Sequence, residues 1–153
     1  MFKKIMNKKM LNNEKGLTLI ELLAVIVILA IISAIAIPAI GNVISNSKDK
    51  AILSDAAVLL SGAKIAIADG ACGAADTSSV ITCKEPALKD VFEGAVDPTD
   101  TVTYNTSTKV YTVKYSILGG IKNITKFTTS NGFTPGPNST SITNAQLTAA
   151  MSK

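Results

Sequence analysis

The sequence of 153 residues has no histidine, no arginine and no tryptophan, and its only cysteines are Cys72 and Cys83. The lack of histidine removes the commonest general base and the commonest metal ligand. Two cysteines alone cannot supply the four ligands of a structural zinc site. Since no nucleophile–base pair stands out either, we expect no enzyme activity, no catalytic residues, no metal site and no cofactor.

Basic charge is confined to lysine, and its excess lies at the start of the chain. Residues 1–16 hold five lysines and one glutamate, whereas residues 17–153 hold ten lysines and ten acidic residues. A basic segment ahead of an apolar one is typical of a membrane protein that obeys the positive-inside rule. A nucleic-acid-binding domain would keep its basic excess in the folded part. Nucleic acid is therefore a possible partner that the sequence does not support.

A long apolar block follows the basic segment. From Leu22 to Ile40 the chain has nineteen residues without a charge, interrupted only by Ser33. About twenty apolar residues are needed for a helix to cross a bilayer. The block alone fits a plain single-pass anchor, or a secretory signal cleaved after Ala34-Ile35-Ala36.

Three details within and before the block point elsewhere. Glu21 is a lone carboxylate at its front edge, and a charge near hydrocarbon is costly and usually functional. The acid follows the Gly16-Leu17 junction at the fifth place after the glycine. Pro38, followed by Gly41, removes a helix hydrogen bond and favours a kink.

The segment Gly-Leu-Thr-Leu-Ile-Glu-Leu-Leu at residues 16–23 resembles the leader junction of type IV pilins and their pseudopilin relatives. The resemblance covers about residues 8–45 and includes the proline within the apolar block. It implies that a prepilin peptidase cleaves between Gly16 and Leu17 and that the new amine on Leu17 is methylated. It also implies that Glu21 attracts the Leu17 amine of a neighbouring subunit during assembly.

The same resemblance implies an organisation in three parts. We expect a leader peptide at residues 1–16, a transmembrane and filament-core helix at residues 17–44, and an extracytoplasmic globular domain at residues 45–153. The expected location is the cell membrane, crossed once with the C-terminal domain outside, and then the extracellular pilus. The expected partners are the prepilin peptidase, other pilin subunits in a homopolymer, the assembly platform proteins of the inner membrane and, before assembly, the membrane.

The resemblance favours a structural role as the major pilin, in a filament that serves adhesion, twitching motility or DNA uptake. The alternatives are a pseudopilin of a type II secretion or competence system, and a minor pilin that acts as an adhesin. Major secretion pseudopilins usually carry a calcium site built from C-terminal acidic residues. Calcium needs several oxygen ligands, mostly carboxylates, and this chain has no Asp or Glu after Asp100.

The fold class expected is α+β, with one long helix packed on a small sheet. Beyond the apolar block, apolar residues continue at helical spacing as one stripe, formed by Ile52, Ala56, Leu59, Ala63 and Ile67. Gly70, after Asp69, is a reasonable stop signal. A helix from Leu17 to Asp69 would be roughly 80 Å long at 1.5 Å per residue.

The remainder of the chain predicts an antiparallel sheet of about three strands, at Thr101–Tyr104, Lys109–Ile117 and Ile121–Thr129. A short helix is expected at Pro86–Phe92 within an otherwise irregular connector. The final segment, Ile142–Met151, is compatible with either a helix or a strand.

In the extracytoplasmic compartment that the resemblance implies, Cys72 and Cys83 are expected to form a disulfide; two free thiols are the alternative. Charge is also segregated along this part of the chain. Residues 69–100 hold seven acids and two lysines, and residues 101–153 hold five lysines and no acid. This pattern is compatible with complementary contacts between subunits or with simple solvation.

Overall fold

The computed structural model describes residues 18–153. The helices and strands follow one another in the order α1 Leu19–Ala68, β1 Val80–Cys83, α2 Ala87–Val91, β2 Thr101–Asn105, β3 Val110–Lys114, a 3₁₀ helix Ser116–Gly120, α3 Ile124–Phe127, β4 Ser141–Thr143 and α4 Asn144–Met151. This is the α+β arrangement expected from the sequence. The described residues belong to two compact units, divided between Gly41 and Asn42.

Helix α1 ends where the sequence predicts, to within one residue. Gly70 has a positive φ of 76°, which glycine adopts without steric cost. Its N–H donates to Ile67 O at 3.2 Å, and the N–H of Ala71 donates to Ala66 O at 2.9 Å. These two bonds form a Schellman cap, which satisfies the last carbonyl groups of the helix.

The sheet has four antiparallel strands in the order β1-β2-β3-β4. The strands expected near Thr101–Tyr104 and Lys109–Ile117 are confirmed as β2 and β3, with somewhat different ends. Two further strands were not expected: β1 lies in the segment taken as an irregular connector, and β4 lies at the start of the undecided C-terminal segment.

The predicted strand at Ile121–Thr129 is wrong, because this segment forms helix α3 and its flanking turns. Both edges of β3 are already paired, one with β2 and the other with β4. Residues 121–129 therefore have no free edge of β3 to join. The N–H groups of Lys122 and Asn123 instead donate to the Asp49 carboxylate of α1.

The hydrophobic core lies between the second half of α1 and one face of the sheet. One row across the sheet is fully buried and consists of Cys83, Val102, Val113 and Ile142. The helix contributes Leu53, Ala56, Leu59 and Ala63, all with no exposed surface. Three of the five predicted stripe residues are thus fully buried, while Ile52 and Ile67 are half-buried at its margin.

The neighbouring row points to the opposite face of the sheet, because successive strand residues alternate between faces. It consists of one threonine from each strand, namely Thr82, Thr103, Thr112 and Thr143. All four are half-exposed. The outer face of the sheet is therefore polar but largely uncharged.

The short helix expected at Pro86–Phe92 is confirmed as α2. The undecided segment at Ile142–Met151 contains both alternatives, since β4 passes directly into α4. A capping box starts α4, with Thr143 Oγ1 accepting from Gln146 N at 3.3 Å and Gln146 Oε1 accepting from Thr143 N at 2.9 Å.

Candidate processing and assembly site

Helix α1 begins with a capping box formed by Thr18 and Glu21. The backbone N–H and the hydroxyl of Thr18 donate to Glu21 Oε2 at 2.9 and 2.8 Å. In return, Glu21 N donates to Thr18 Oγ1 at 3.2 Å. This reciprocal pair satisfies two backbone donors that have no partner within the helix. Glu21 therefore has a local structural role in addition to the role that the resemblance implies.

The capping box was missed in the sequence analysis, although its signal is present. A Thr followed three residues later by Glu, just before an apolar run, is a recognised helix-start pattern. The predicted processing residues, Gly16 and Leu17, lie outside the described residues.

The Glu21 carboxylate retains capacity for a further partner. Both bonds from Thr18 reach the same oxygen, Oε2, and Oε1 accepts no hydrogen bond from residues 18–153. The side chain is also exposed. A carboxylate can accept about four hydrogen bonds through its two oxygens. A cationic amine from another molecule could thus reach Oε1 without displacing Thr18.

The first half of α1 exposes a continuous apolar surface. Every large aliphatic side chain from Leu19 to Ile44 is exposed, by between 49% and 84%. An 18-residue window of this helix has a mean hydropathy of 3.0, so by length and composition it could cross a membrane. Apolar surface in water costs about 25 cal/mol per Å². This segment therefore requires a covering, either lipid or other apolar helices.

Helix α1 is continuous through Pro38 and Gly41. The missing N–H of the proline leaves one carbonyl of the preceding turn without its helix partner. Space around Gly41 is open, since a methyl group placed there would meet nothing within 4 Å. A kink at this point stays a prediction.

Asp49, five residues after Ile44 along α1, attaches the helix to the C-terminal half of the domain. It is 1% exposed, and its carboxylate accepts from Lys122 N at 3.0 Å, Asn123 N at 2.8 Å and Asn123 Nδ2 at 2.7 Å. Three donors compensate for the burial of a charge, which is strongly unfavourable otherwise. The sequence gives no signal for this role, because Asp49 stands between two lysines and resembles a solvated residue.

The cysteines are joined as predicted, with the Cα atoms of Cys72 and Cys83 4.7 Å apart. Cys83 is fully buried in the sheet row described above, while Cys72 is half-buried just beyond the end of α1. The bond therefore links the connector after α1 to strand β1.

The two charged segments of the sequence, residues 69–100 and 101–153, contact each other in the folded domain. The hairpin turn that carries Lys109 lies beside the acidic connector, since Thr106 N donates to Ser79 O at 2.9 Å. Within residues 18–153 the single ion pair joins Lys89 to Glu85. In the same residues, no group of three or more His, Cys, Asp or Glu is placed to hold a metal ion.

The fold and the N-terminal geometry are consistent with one class of protein. A long helix with an exposed apolar first half, continued by a small antiparallel sheet packed on its second half, is consistent with the pilin fold. The family description "prokaryotic N-terminal methylation motif" matches residues 11–37. This match, which includes Gly16, Leu17 and Glu21, supports a type IV pilin-like prepilin of the pilin or pseudopilin family. Comparisons with curated proteins and with solved structures gave no match.

Proposed function

We propose that this chain is the major subunit of a type IV pilus, made as a prepilin, processed at its leader and polymerised through α1. The observation that carries the proposal is the combination of one exposed carboxylate, Glu21, with an aliphatic helix surface that residues 18–153 leave uncovered. Such a helix can first lie in lipid and later pack against the same helix of other subunits.

Processing is the first step. Hydrolysis of the Gly16–Leu17 peptide bond by the prepilin peptidase leaves a carboxylate on Gly16 and an amine on Leu17. Methylation of that amine leaves it cationic. The motif at residues 11–37 supports this step.

Assembly is the second step. The Leu17 amine of an incoming subunit approaches Glu21 of its neighbour, where Oε1 is available. The attraction is strengthened because the surroundings are apolar and of low dielectric constant. The inner-membrane assembly platform would act on the subunit at this stage. The absence of Asp and Glu from residues 101–153 favours a pilin over a secretion pseudopilin with a calcium site.

The experiment separates the charge of Glu21 from its capping role. Glu21→Gln keeps a capping-box residue but removes the charge, whereas Thr18→Ala removes the cap and keeps the charge. Filaments are sheared from cells that express each variant alone. The amount of subunit in the sheared fraction is quantified by immunoblot, and the filaments are imaged by electron microscopy. Thr18→Ser, which retains the capping hydroxyl, is the matched control.

We expect Glu21→Gln to reach the membrane at normal level and to lose most filaments, and Thr18→Ala to keep most of them. Loss of an N-cap costs only about 1 kcal/mol, a small amount for a 50-residue helix. The reverse pattern would reduce Glu21 to a capping residue. Intact-mass analysis tests processing: a mature chain that starts at Ile37 would indicate an ordinary signal peptide instead.

A further inference from the structure

Four lysines gather where the globular unit begins. Lys48 and Lys50 belong to α1, and Lys122 and Lys126 belong to the segment that Asp49 holds against it. Lys122 and Asn123 donate their N–H groups to Asp49, and Lys126 Nζ donates to Asn46 Oδ1 at 3.2 Å. We call these four residues the lysine collar.

The collar covers about half of the helix circumference, centred on Asp49. Successive helix residues are about 100° apart, so Lys48 and Lys50 flank the buried Asp49 on its two sides. Lys122 and Lys126 extend from the segment in front of Asp49. Lys48, Lys50 and Lys122 are exposed, and Lys126 is half-buried with its ammonium 5.6 Å from the Phe127 ring centroid.

Little acidic charge offsets the collar locally. The one acid in its midst, Asp49, is buried and engaged by three donors. Residues 101–153 contain no Asp or Glu. The partner of Lys126 is the neutral side chain of Asn46. Within residues 18–153 none of the four lysines forms an ion pair, so the collar presents positive charge that is free to meet an external anion.

The position of the collar matches the depth of a lipid headgroup layer. The last large aliphatic residue of the apolar run is Ile44, and Lys48 follows four residues later, about 6 Å along the helix axis. A bilayer of about 40–45 Å with a hydrocarbon core of about 30 Å has about 5–8 Å of headgroup layer on each side. If the apolar run fills the hydrocarbon, the collar lies among the headgroups.

We propose that the lysine collar binds anionic phospholipid headgroups of the leaflet that faces the globular domain, while the subunit is held in the membrane. This inference rests on the membrane anchoring in the proposed function. A second copy of the chain is a less suitable partner. The acidic segment that it would offer, residues 69–100, also contains Lys84 and Lys89 and lies beside the turn that carries Lys109. It is therefore not a purely acidic face.

The test uses the full chain, one copy per nanodisc, in discs of phosphatidylcholine alone or with about 30% phosphatidylglycerol. Acetylation by a neutral amine-reactive ester is followed lysine by lysine with mass spectrometry. Because each lysine is measured separately, the lysines before residue 17 do not affect the result. Lys84 and Lys109, exposed residues of the same domain, are internal controls.

We expect the anionic lipid to slow acetylation of Lys48, Lys50 and Lys122 by about threefold or more, since each lysine near such a surface gains roughly a fivefold preference for it. Salt at about 0.5 M should restore the rates through screening. Lys84 and Lys109 should change little. Equal rates in the two kinds of disc, with the chain inserted, would overturn the collar but leave the anchor intact.

A second measurement counts phosphatidylglycerol molecules retained by the detergent-solubilised full chain in native mass spectrometry. The variant Lys48→Gln/Lys50→Gln/Lys122→Gln should retain fewer than the wild type, and the matched control Lys84→Gln/Lys109→Gln/Lys153→Gln should not. Protection seen only in assembled filaments, and not in single-copy discs, would assign the collar to subunit contacts and overturn the proposal. Failure of the chain to insert into discs would overturn the anchor and the collar together.

Discussion

The carboxylate of Asp49 accepts hydrogen bonds from both the backbone and the side-chain amide of Asn123, a residue 74 positions further along the chain. This contact joins the beginning of the globular unit to the segment that follows the 3₁₀ helix. It also places a buried charge where the sequence pattern suggests an exposed one.

Replacement of Asp49 should therefore destabilise the domain more than replacement of an exposed acid on the same helix. We expect Asp49→Ala to lower the free energy of unfolding by about 1–3 kcal/mol, because it leaves partly buried donors of Lys122 and Asn123 without an acceptor. Asp55→Ala, an exposed acid on the same helix, should change it by less than about 0.5 kcal/mol. Chemical denaturation measures both, and hydrogen exchange at residues 122 and 123 should rise in the first variant only. Equal effects of the two substitutions would contradict this role.

The globular part should fold without the apolar half of α1. A fragment that starts at Ser45 keeps Asp49 and every helix residue of the buried core. We expect it to be a soluble monomer with one cooperative unfolding transition, measured by sedimentation and circular dichroism. Aggregation under oxidising conditions would move the domain boundary away from residue 45.

Two glycines of α1 should differ in their tolerance of alanine. A Cβ at Gly62 would lie 2.6 Å from Val91 O, so the α2 segment would have to shift, whereas a Cβ at Gly41 would meet nothing within 4 Å. We expect Gly62→Ala to destabilise the domain by about 1–3 kcal/mol through overpacking. Gly41→Ala should leave its unfolding unchanged, with a gain in helix propensity of about 1 kcal/mol confined to the apolar segment. Thermal unfolding of the two variants measures this difference in stability. Equal unfolding midpoints would contradict the close packing at Gly62.

The Cys72–Cys83 bond closes a loop with a sequence separation of 11 residues. In the chain-entropy account such a loop contributes about 3 kcal/mol, so Cys72→Ala/Cys83→Ala should lower the stability by about that amount. Native filaments should show no alkylatable thiol before reduction. After mild reduction Cys72 should react before Cys83, because only Cys83 is fully buried. Simultaneous reaction would mean that β1 opens when the bond is broken.

Alkaline pH should weaken the fold through Tyr115. Burial, followed by the nearby Asp55 and Asp100 carboxylates, raises the pKa of the Tyr115 hydroxyl. Since the unfolded chain releases this proton from about pH 10 and the folded chain releases it later, stability falls as pH rises above that value. In Tyr115→Phe we expect the free energy of unfolding to fall less steeply with pH above about 10, as measured by denaturation at several pH values. An unchanged slope would show that other groups control alkaline unfolding.

The sequence was sufficient for the long helix, its stop at Gly70, two central strands and the disulfide, because each depends on a local pattern or on one pair of residues. It did not reveal β1, whose four residues are too short for a clear alternation. It placed a strand at Ile121–Thr129, because apolar and β-branched residues there resemble β2 and β3. That strand is excluded because β4 pairs with β3 and because the N–H groups of residues 122 and 123 donate to the Asp49 carboxylate. Neither contact can be recognised from the local sequence.

The two outer strands of the sheet are poorly suited to recruiting another chain. Strand β1 has four residues and ends at the disulfide-bonded Cys83, and β4 has three and turns directly into α4. Short, blocked edges expose few backbone groups for an added strand. Growth of an assembly by addition of strands to the edges of the sheet is therefore disfavoured. In the filament proposed above, the exposed aliphatic helix surface would then supply the repeated, identical contacts. The order of such a filament would be set by the part of the chain with the simplest composition.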